Sequence, residues 1–260
     1  MRSLVLLAPI WVAFSPLVTA IIHGTEATTL EYPFIAAILN NDWFGTSLIC
    51  TGSVVGPKTI LTAAHCVDGH TPSSLTVRVG SANYTTGGKL LHAQEIFIHP
   101  SWSSSTIDND YAILHLADTA MGGGVTAIAL PGNNAINPDD TSGIAVRVAG
   151  WGKLDSSDKT SPTILHQANM VTVDRSTCNA AWANDNPITK NMMCTQPDAP
   201  MPGTSTCSGD NGGPIVDELG STLYGVISYG ANGCTATPLP NVGSSVSDEA
   251  AKAWIQGLIV

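Results

Sequence analysis

The chain is poor in charge. Asp, Glu, Lys and Arg make up 12% of its 260 residues, ten basic against twenty acidic. A formal net charge of −10, with no run of Lys or Arg, repels phosphate backbones and anionic lipid heads. Nucleic acid and membrane surfaces are therefore excluded as partners. Long apolar runs are also lacking. The stretch Leu4 to Phe14 is shorter than the roughly 20 residues that span a bilayer, and Pro9 interrupts it. No C-x-x-C pair occurs, which argues against a structural zinc site.

What that stretch does resemble is an export signal. Met1-Arg2 supply a positive end, the apolar core follows, and "SPLVTA" leads to a small-residue cleavage site at Ala20. We expect a signal peptide over 1–20 and a secreted, monomeric domain over 21–260. Loss of Arg2 with the signal takes the formal charge from −10 to −11. The six cysteines, Cys50, Cys66, Cys178, Cys194, Cys207 and Cys234, all lie beyond the cleavage point. An even number behind a signal peptide reads as disulfides in an oxidising compartment, with 15 pairings open to spacing alone. The sequon "NYT" at Asn83 permits glycosylation on export.

Short β-branched and apolar runs alternate with turn residues along the chain, as in "EYPFIAAIL", "SVVGPKTILTAA", "SLTVRVGS", "GIAVRVAGWG", "NMVTVDRS" and "STLYGVISYG". With 25 Gly and 16 Pro this pattern argues for an all-β barrel or sandwich. Only "SSVSDEAAKAWIQGLIV" reads helical, with Ser and Asp to cap it and a stop at Gly257. Polar and Gly-rich segments near 121–140 divide the chain into comparable halves.

Three stretches carry chemistry. "LTAAHC" sets His65 beside Cys66, "DNDYAILHL" sets Asp110 ahead of an apolar run, and "TSTCSGDNGGPIV" follows over Thr204 to Val216. In this order, with "IIHG" at Ile21, "AGWG" at Ala149, "SYG" at Ser228 and "PNV" at Pro240, they resemble the chymotrypsin/trypsin-like serine peptidases over nearly all of 21–260. The resemblance implies two six-stranded antiparallel barrels, a cleft between them and a C-terminal helix. It also implies the bridges Cys50–Cys66, Cys178–Cys194 and Cys207–Cys234.

The resemblance further assigns roles. His65 would be the general base and Asp110 the residue that fixes its tautomer. The N–H groups of Gly209 and Asn211 would form an oxyanion hole. An Ile21 amino terminus, exposed directly by signal cleavage, would pair with Asp210, although His23 departs from the usual small residue nearby. Ser205, Ser228, Tyr229, Gly230 and Asn241 would line the substrate side. Ser205 stands where an Asp would select Lys or Arg, which implies a chymotrypsin-like preference. Asn241 replaces a usual Gly and would project into the pocket, and Tyr229 replaces a usual Trp. Only Asp68 is acidic between Cys66 and Glu95, too few hard ligands for a calcium loop. No metal and no cofactor are expected.

The decisive departure is Asn211, which stands where the family's nucleophilic serine belongs. A carboxamide has its nitrogen lone pair delocalised and offers the base no hydroxyl proton, so it cannot form an acyl-enzyme. Deamidation at Asn211-Gly212 would give an Asp and restore nothing. Neither Ser208 nor Ser228 is placed by the resemblance to take over. The sequence therefore leads to a catalytically impaired homologue that binds a protein or peptide, such as an active peptidase, a glucanase or an inhibitor. Two alternatives stand beside it. One is an active endopeptidase in which residue 211 is naturally serine; the other is an inert secreted scaffold.

Overall fold

The computed structural model describes residues 21–22, 24–132, 137–155, 157–198, 204–231, 234 and 239–260. The signal peptide expected over 1–20 and the departure at His23 lie outside these residues.

After a two-residue strand β1 (Thr25–Glu26), six strands close the first barrel. They are β2 (Ile35–Asp42), β3 (Gly45–Gly56), β4 (Thr59–Thr62), β5 (Leu75–Val79), β6 (Lys89–Ile98) and β7 (Ala112–Leu116), paired antiparallel in the order β2-β3-β4-β7-β6-β5. The period of two is plain in β6, where Leu91 and Ala93 are buried while Leu90, His92 and Gln94 face out. Register shifts at Ile38/Leu39, Val54/Gly56 and Ala93/Glu95 bend the strands enough to close the sheet on itself.

The chain crosses to the second barrel over residues 117–144. Its strands are β8 (Ala145–Gly150), β9 (His166–Val173), β10 (Met192–Pro197), β11 (Pro214–Asp217), β12 (Leu223–Tyr229) and β13 (Asn241–Ser245). Their order is β9-β10-β13-β12-β11-β8, and pairing of β8 back to β9 closes the ring. β1 adds to β9 from outside, Thr25 opposite Gln167. Ile21, Val146, Val148, Met170, Met193, Ile215 and Ile227 fill this second interior. Two barrels of six strands are thus found, as the resemblance implied.

Two helices accompany the barrels. The expected one is α2 (Glu249–Gly257), started by Asp248 accepting from the Ala250 and Ala251 N–H groups at 3.0 and 3.2 Å. It returns to the first barrel. Trp254 meets the His99 ring edge-on at 4.9 Å, and the Leu258 carbonyl bonds His115 Nε2 at 2.7 Å. The other, α1 (Arg175–Trp182), overturns the reading of "NMVTVDRS" as one extended run. β9 stops at Val173, and Asp174 accepts the Thr177 N–H at 3.0 Å to cap a helix of eight residues. So short a helix has little intrinsic stability and is held by burying Cys178 and Trp182. No described helix is long and apolar enough to cross a membrane.

The three bridges join Cys50 to Cys66, Cys178 to Cys194 and Cys207 to Cys234. Removing a native bridge from a small secreted domain typically costs about 2–5 kcal/mol. The first ties β3 to the turn that carries His65, and the third holds the loop that carries Asn211. At the sequon, Asn83 Oδ1 accepts from Thr85 N and Oγ1 at 2.9 and 2.7 Å, so the amide sits in a surface turn.

Candidate active site

His65 lies in a single helical turn, Ala64–Cys66, directly after β4. Asp110 precedes β7 and is fully buried. The next residue, Tyr111, reaches from the first barrel to the second, its hydroxyl bonded to the carbonyls of Asn191 and Ser245. Two residues earlier Asp108 accepts from Thr189 Oγ1 at 2.7 Å and Asn191 Nδ2 at 3.1 Å. Asp110 is therefore pinned at the seam between the barrels. Asp108 was not legible in the sequence as a contributor, because an acid in "DND" reads as a turn residue.

Three donors meet the buried Asp110 carboxylate. The His65 N–H bonds Oδ1 at 2.9 Å, while His65 Nδ1 and Ser228 Oγ reach Oδ2 at 2.7 and 2.5 Å. A carboxylate only accepts, so Nδ1 carries the imidazole proton and Nε2 presents its lone pair. That lone pair faces Asn211, whose Nδ2 lies 3.1 Å away. The amide N–H donates to the base, and no hydroxyl is there to be deprotonated.

The loop around Asn211 is held open by its neighbours. Thr51 on β3 donates twice, Oγ1 to the Gly209 carbonyl at 2.8 Å and N–H to the Asn211 carbonyl at 2.9 Å. Gly209 adopts a φ of 104°. With both carbonyls turned to Thr51, the N–H groups of Gly209 and Asn211 have no hydrogen-bond partner among the described residues. Such free amides are what an oxyanion hole requires. Gly212 makes the close approach of the barrels feasible. A Cβ there would stand 2.1 Å from Thr62 Oγ1 and 2.3 Å from the Thr51 carbonyl, and its φ is 80°. Thr51 and Thr62 escaped the sequence reading, since a threonine inside a strand carries no signal of its own.

Asp210 is wholly enclosed. Its carboxylate accepts the N–H groups of Gly152 and Cys207 at 2.7 and 2.9 Å. Burial pushes its pKa from 3.8 up to about 7, against the lowering effect of those two bonds. Ile21 is fully buried in the second barrel, in the cluster that includes Val148 of the strand that ends at Gly150. Among the described residues Ile21 makes no hydrogen bond to Asp210.

Where the resemblance expects a side-chain pocket, the described residues fill the space themselves. Asn241 opens β13 and is buried, its Oδ1 accepting from Ser205 Oγ at 2.9 Å and Thr206 Oγ1 at 3.1 Å. A Cβ built on Gly230 would lie 3.0 Å from the same oxygen. The amide thus spans the space between the 205–206 wall and Gly230. Tyr229 lies edge-on to Trp182 at 5.3 Å and its hydroxyl accepts from Asn186 Nδ2 at 2.9 Å. Asn241→Gly is expected to clear the pocket and create a site for a flat apolar molecule. Indole titrated against both chains by calorimetry checks this: heat of binding should appear only in the variant.

Cys50, His65 and Cys66 offer ligand atoms within 4.8 Å of one another. Both sulfurs are spent in a disulfide, so they supply no thiolate to a metal.

Comparison with known proteins gives a consistent result. The family model described as Trypsin matches residues 21–255. Trypsin Blo t 3 of Blomia tropicalis is 35% identical over 241 residues, which cover 91% of this chain and 85% of that protein. Trypsin delta of Drosophila erecta is 31% identical, with 90% and 87% covered. Among solved structures, neuropsin, a serine protease expressed in the limbic system of mouse brain, superposes with a TM-score of 0.76 at 26% identity. That match covers 91% of this chain and 99% of the other.

Proposed function

The chain belongs to the trypsin family of chymotrypsin/trypsin-like serine peptidases, and from that membership we propose that it is a secreted, catalytically impaired member that binds a protein or peptide in its cleft without cutting it. Asn211 carries the reading. Its amide nitrogen, 3.1 Å from His65 Nε2, takes up the lone pair that would otherwise deprotonate a nucleophile. Removing the serine from a triad of this kind costs on the order of 10⁶-fold in turnover, and the residual effect of oxyanion hole and binding is negligible as proteolysis.

Neither neighbouring serine offers a substitute. Ser228 Oγ is buried behind Asp110, to which it donates. Ser208 is exposed, and its carbonyl accepts the Lys153 N–H at 3.0 Å. The His65 ring meets Asp110, Asn211 and the Cys66 sulfur instead. Binding without cleavage suits a decoy, a cofactor of an active peptidase or an inhibitor, and the disulfides suit an extracellular setting.

The retained His65–Asp110–Ser228 hydrogen bonds and the free amides at 209 and 211 favour one second reading: an active endopeptidase in which position 211 is naturally serine. One measurement separates the two. Protein purified from its source should show an intact mass consistent with Asn211 and remain unlabelled by a serine-directed fluorophosphonate. Labelling that disappears in His65→Ala would overturn the first reading.

A further inference from the structure

Beside Gly209 lies a cleft of ≈ 370 Å³ between the two barrels. One wall is strand β3 from Thr46 to Ile49; the other is formed by Lys153, Lys159 and Ser161, with Tyr84 and Ser208 at the ends. None of the described residues that line it is acidic. The chain has only ten Lys and Arg, yet two of them meet here, and neither ammonium group has an ion-pair partner among the described residues. The nearest acids in sequence, Asp155 and Asp158, are engaged within their own loop. Asp155 Oδ1 accepts from Ser157 N and Oγ at 2.8 and 2.7 Å, and Asp158 Oδ2 accepts from Asp155 N at 3.0 Å.

A second feature lies at the end of the same strand. Strands β2 and β3 join through a two-residue turn, Trp43-Phe44, held by Asp42 Oδ1 accepting the Phe44 N–H at 2.8 Å. Turns of this length favour small residues such as Asn and Gly, which tolerate a positive φ. Here the tip carries two large aromatics that are 96% and 97% exposed. Trp43 and Phe44 lie two to three residues beyond Thr46, on the order of 7 Å along the strand from the cleft wall.

We propose that this cleft holds an acidic segment of the polypeptide partner, its carboxylates paired with Lys153 and Lys159 and its following apolar residues gripped by Trp43 and Phe44. The proposal rests on the reading that the cleft binds polypeptide, and names the partner's chemistry. The overall charge of −10 sharpens it. A polyanion would meet the whole acidic surface and be repelled. A short acidic segment meets the two lysines within a Debye length of about 8 Å, while the rest of its protein need not be acidic.

The test uses the chain starting at Ile21 and fluorescein-labelled peptides read by anisotropy. One alternates glutamate with alanine, one replaces the glutamates by glutamine, and one extends the acidic peptide by a leucine pair. The acidic peptide should bind more tightly than the glutamine peptide, and salt should erase the difference. Lys153→Gln with Lys159→Gln should weaken it about three- to tenfold, the size expected of two exposed ion pairs, without affecting the glutamine peptide. The leucine extension should gain affinity on the parent and none on a chain carrying Trp43→Ser and Phe44→Ser. Equal binding of acidic and neutral peptides, or indifference to the lysine substitutions, would overturn the charge inference and leave the binding reading standing. Binding of no peptide at all would remove both.

Discussion

Asn211→Ser, in a chain that starts at Ile21, is expected to react with a fluorophosphonate on the order of 10⁴-fold faster than the parent, or more. Everything the reagent needs apart from the hydroxyl is already placed. The Asp110 carboxylate fixes the imidazole tautomer through a 2.7 Å bond, Nε2 points at residue 211, and two amides stand free to receive the phosphonyl oxygen. His65→Ala in the same background should abolish the labelling. A folded revertant that stays unlabelled would show that more than one atom is missing. Peptide hydrolysis is a harder demand. The Asn241 side chain still fills the pocket through its bonds to Ser205 and Thr206, so a large apolar residue has nowhere to go. Turnover after large apolar residues should therefore need Asn211→Ser and Asn241→Gly together. The single revertant should acylate readily with a small reagent and cleave extended substrates poorly.

The site divides by how its parts announce themselves. His65 beside a cysteine, Asp110 ahead of an apolar strand and the "GDNGGP" loop are each local, so their residue types and neighbours could be recognised along the chain. Pairing them required the resemblance, because His65 and Asn211 are brought within hydrogen-bond reach only by the meeting of two barrels. The residues that shape the site without chemistry of their own stayed hidden. Thr51 acts through its own N–H and hydroxyl on carbonyls 158 and 160 positions away. Lys153 and Lys159 look like ordinary surface charge until the loop is folded against β3. The short helix α1 was hidden for a different reason: its cap, Asp174, directly continues a β-branched run. There a side-chain acceptor decides between strand and helix, and periodicity gives no warning.

The other large effect concerns the buried acid beside Asn211. In a chain that continues N-terminal to Ile21, Asp210 has two N–H donors and no cation among the described residues, and burial holds its pKa at about 7 against an ordinary 3.8. A group raised in this way favours the folded state fully below pH 3.8, and the advantage is lost as the pH climbs through about 7. The difference corresponds to about 4 kcal/mol at neutral pH. Ile21 adds to the cost, since a φ of 49° is left-handed backbone that a β-branched residue adopts at about 1–2 kcal/mol. Cleavage before Ile21 would remove both penalties if the freed terminus reached Asp210. The φ constraint would disappear with the peptide bond, and the new α-amino group, with an ordinary pKa of about 8, would supply the missing charge. Pairing with that charge would lower the Asp210 pKa and reverse the slope. We therefore expect the melting temperature of the uncut chain to fall between pH 4 and 7 relative to the chain starting at Ile21. The gap should approach about 10 °C at pH 7 for a protein of this size. Asp139, raised to about 6 by burial, is common to both chains and cancels in the comparison. Asp210→Asn should flatten the uncut curve and close most of the gap. Parallel curves for the two chains would mean that the amino terminus never reaches the acid, and the oxyanion loop would then owe its shape to Thr51 and Gly212 alone.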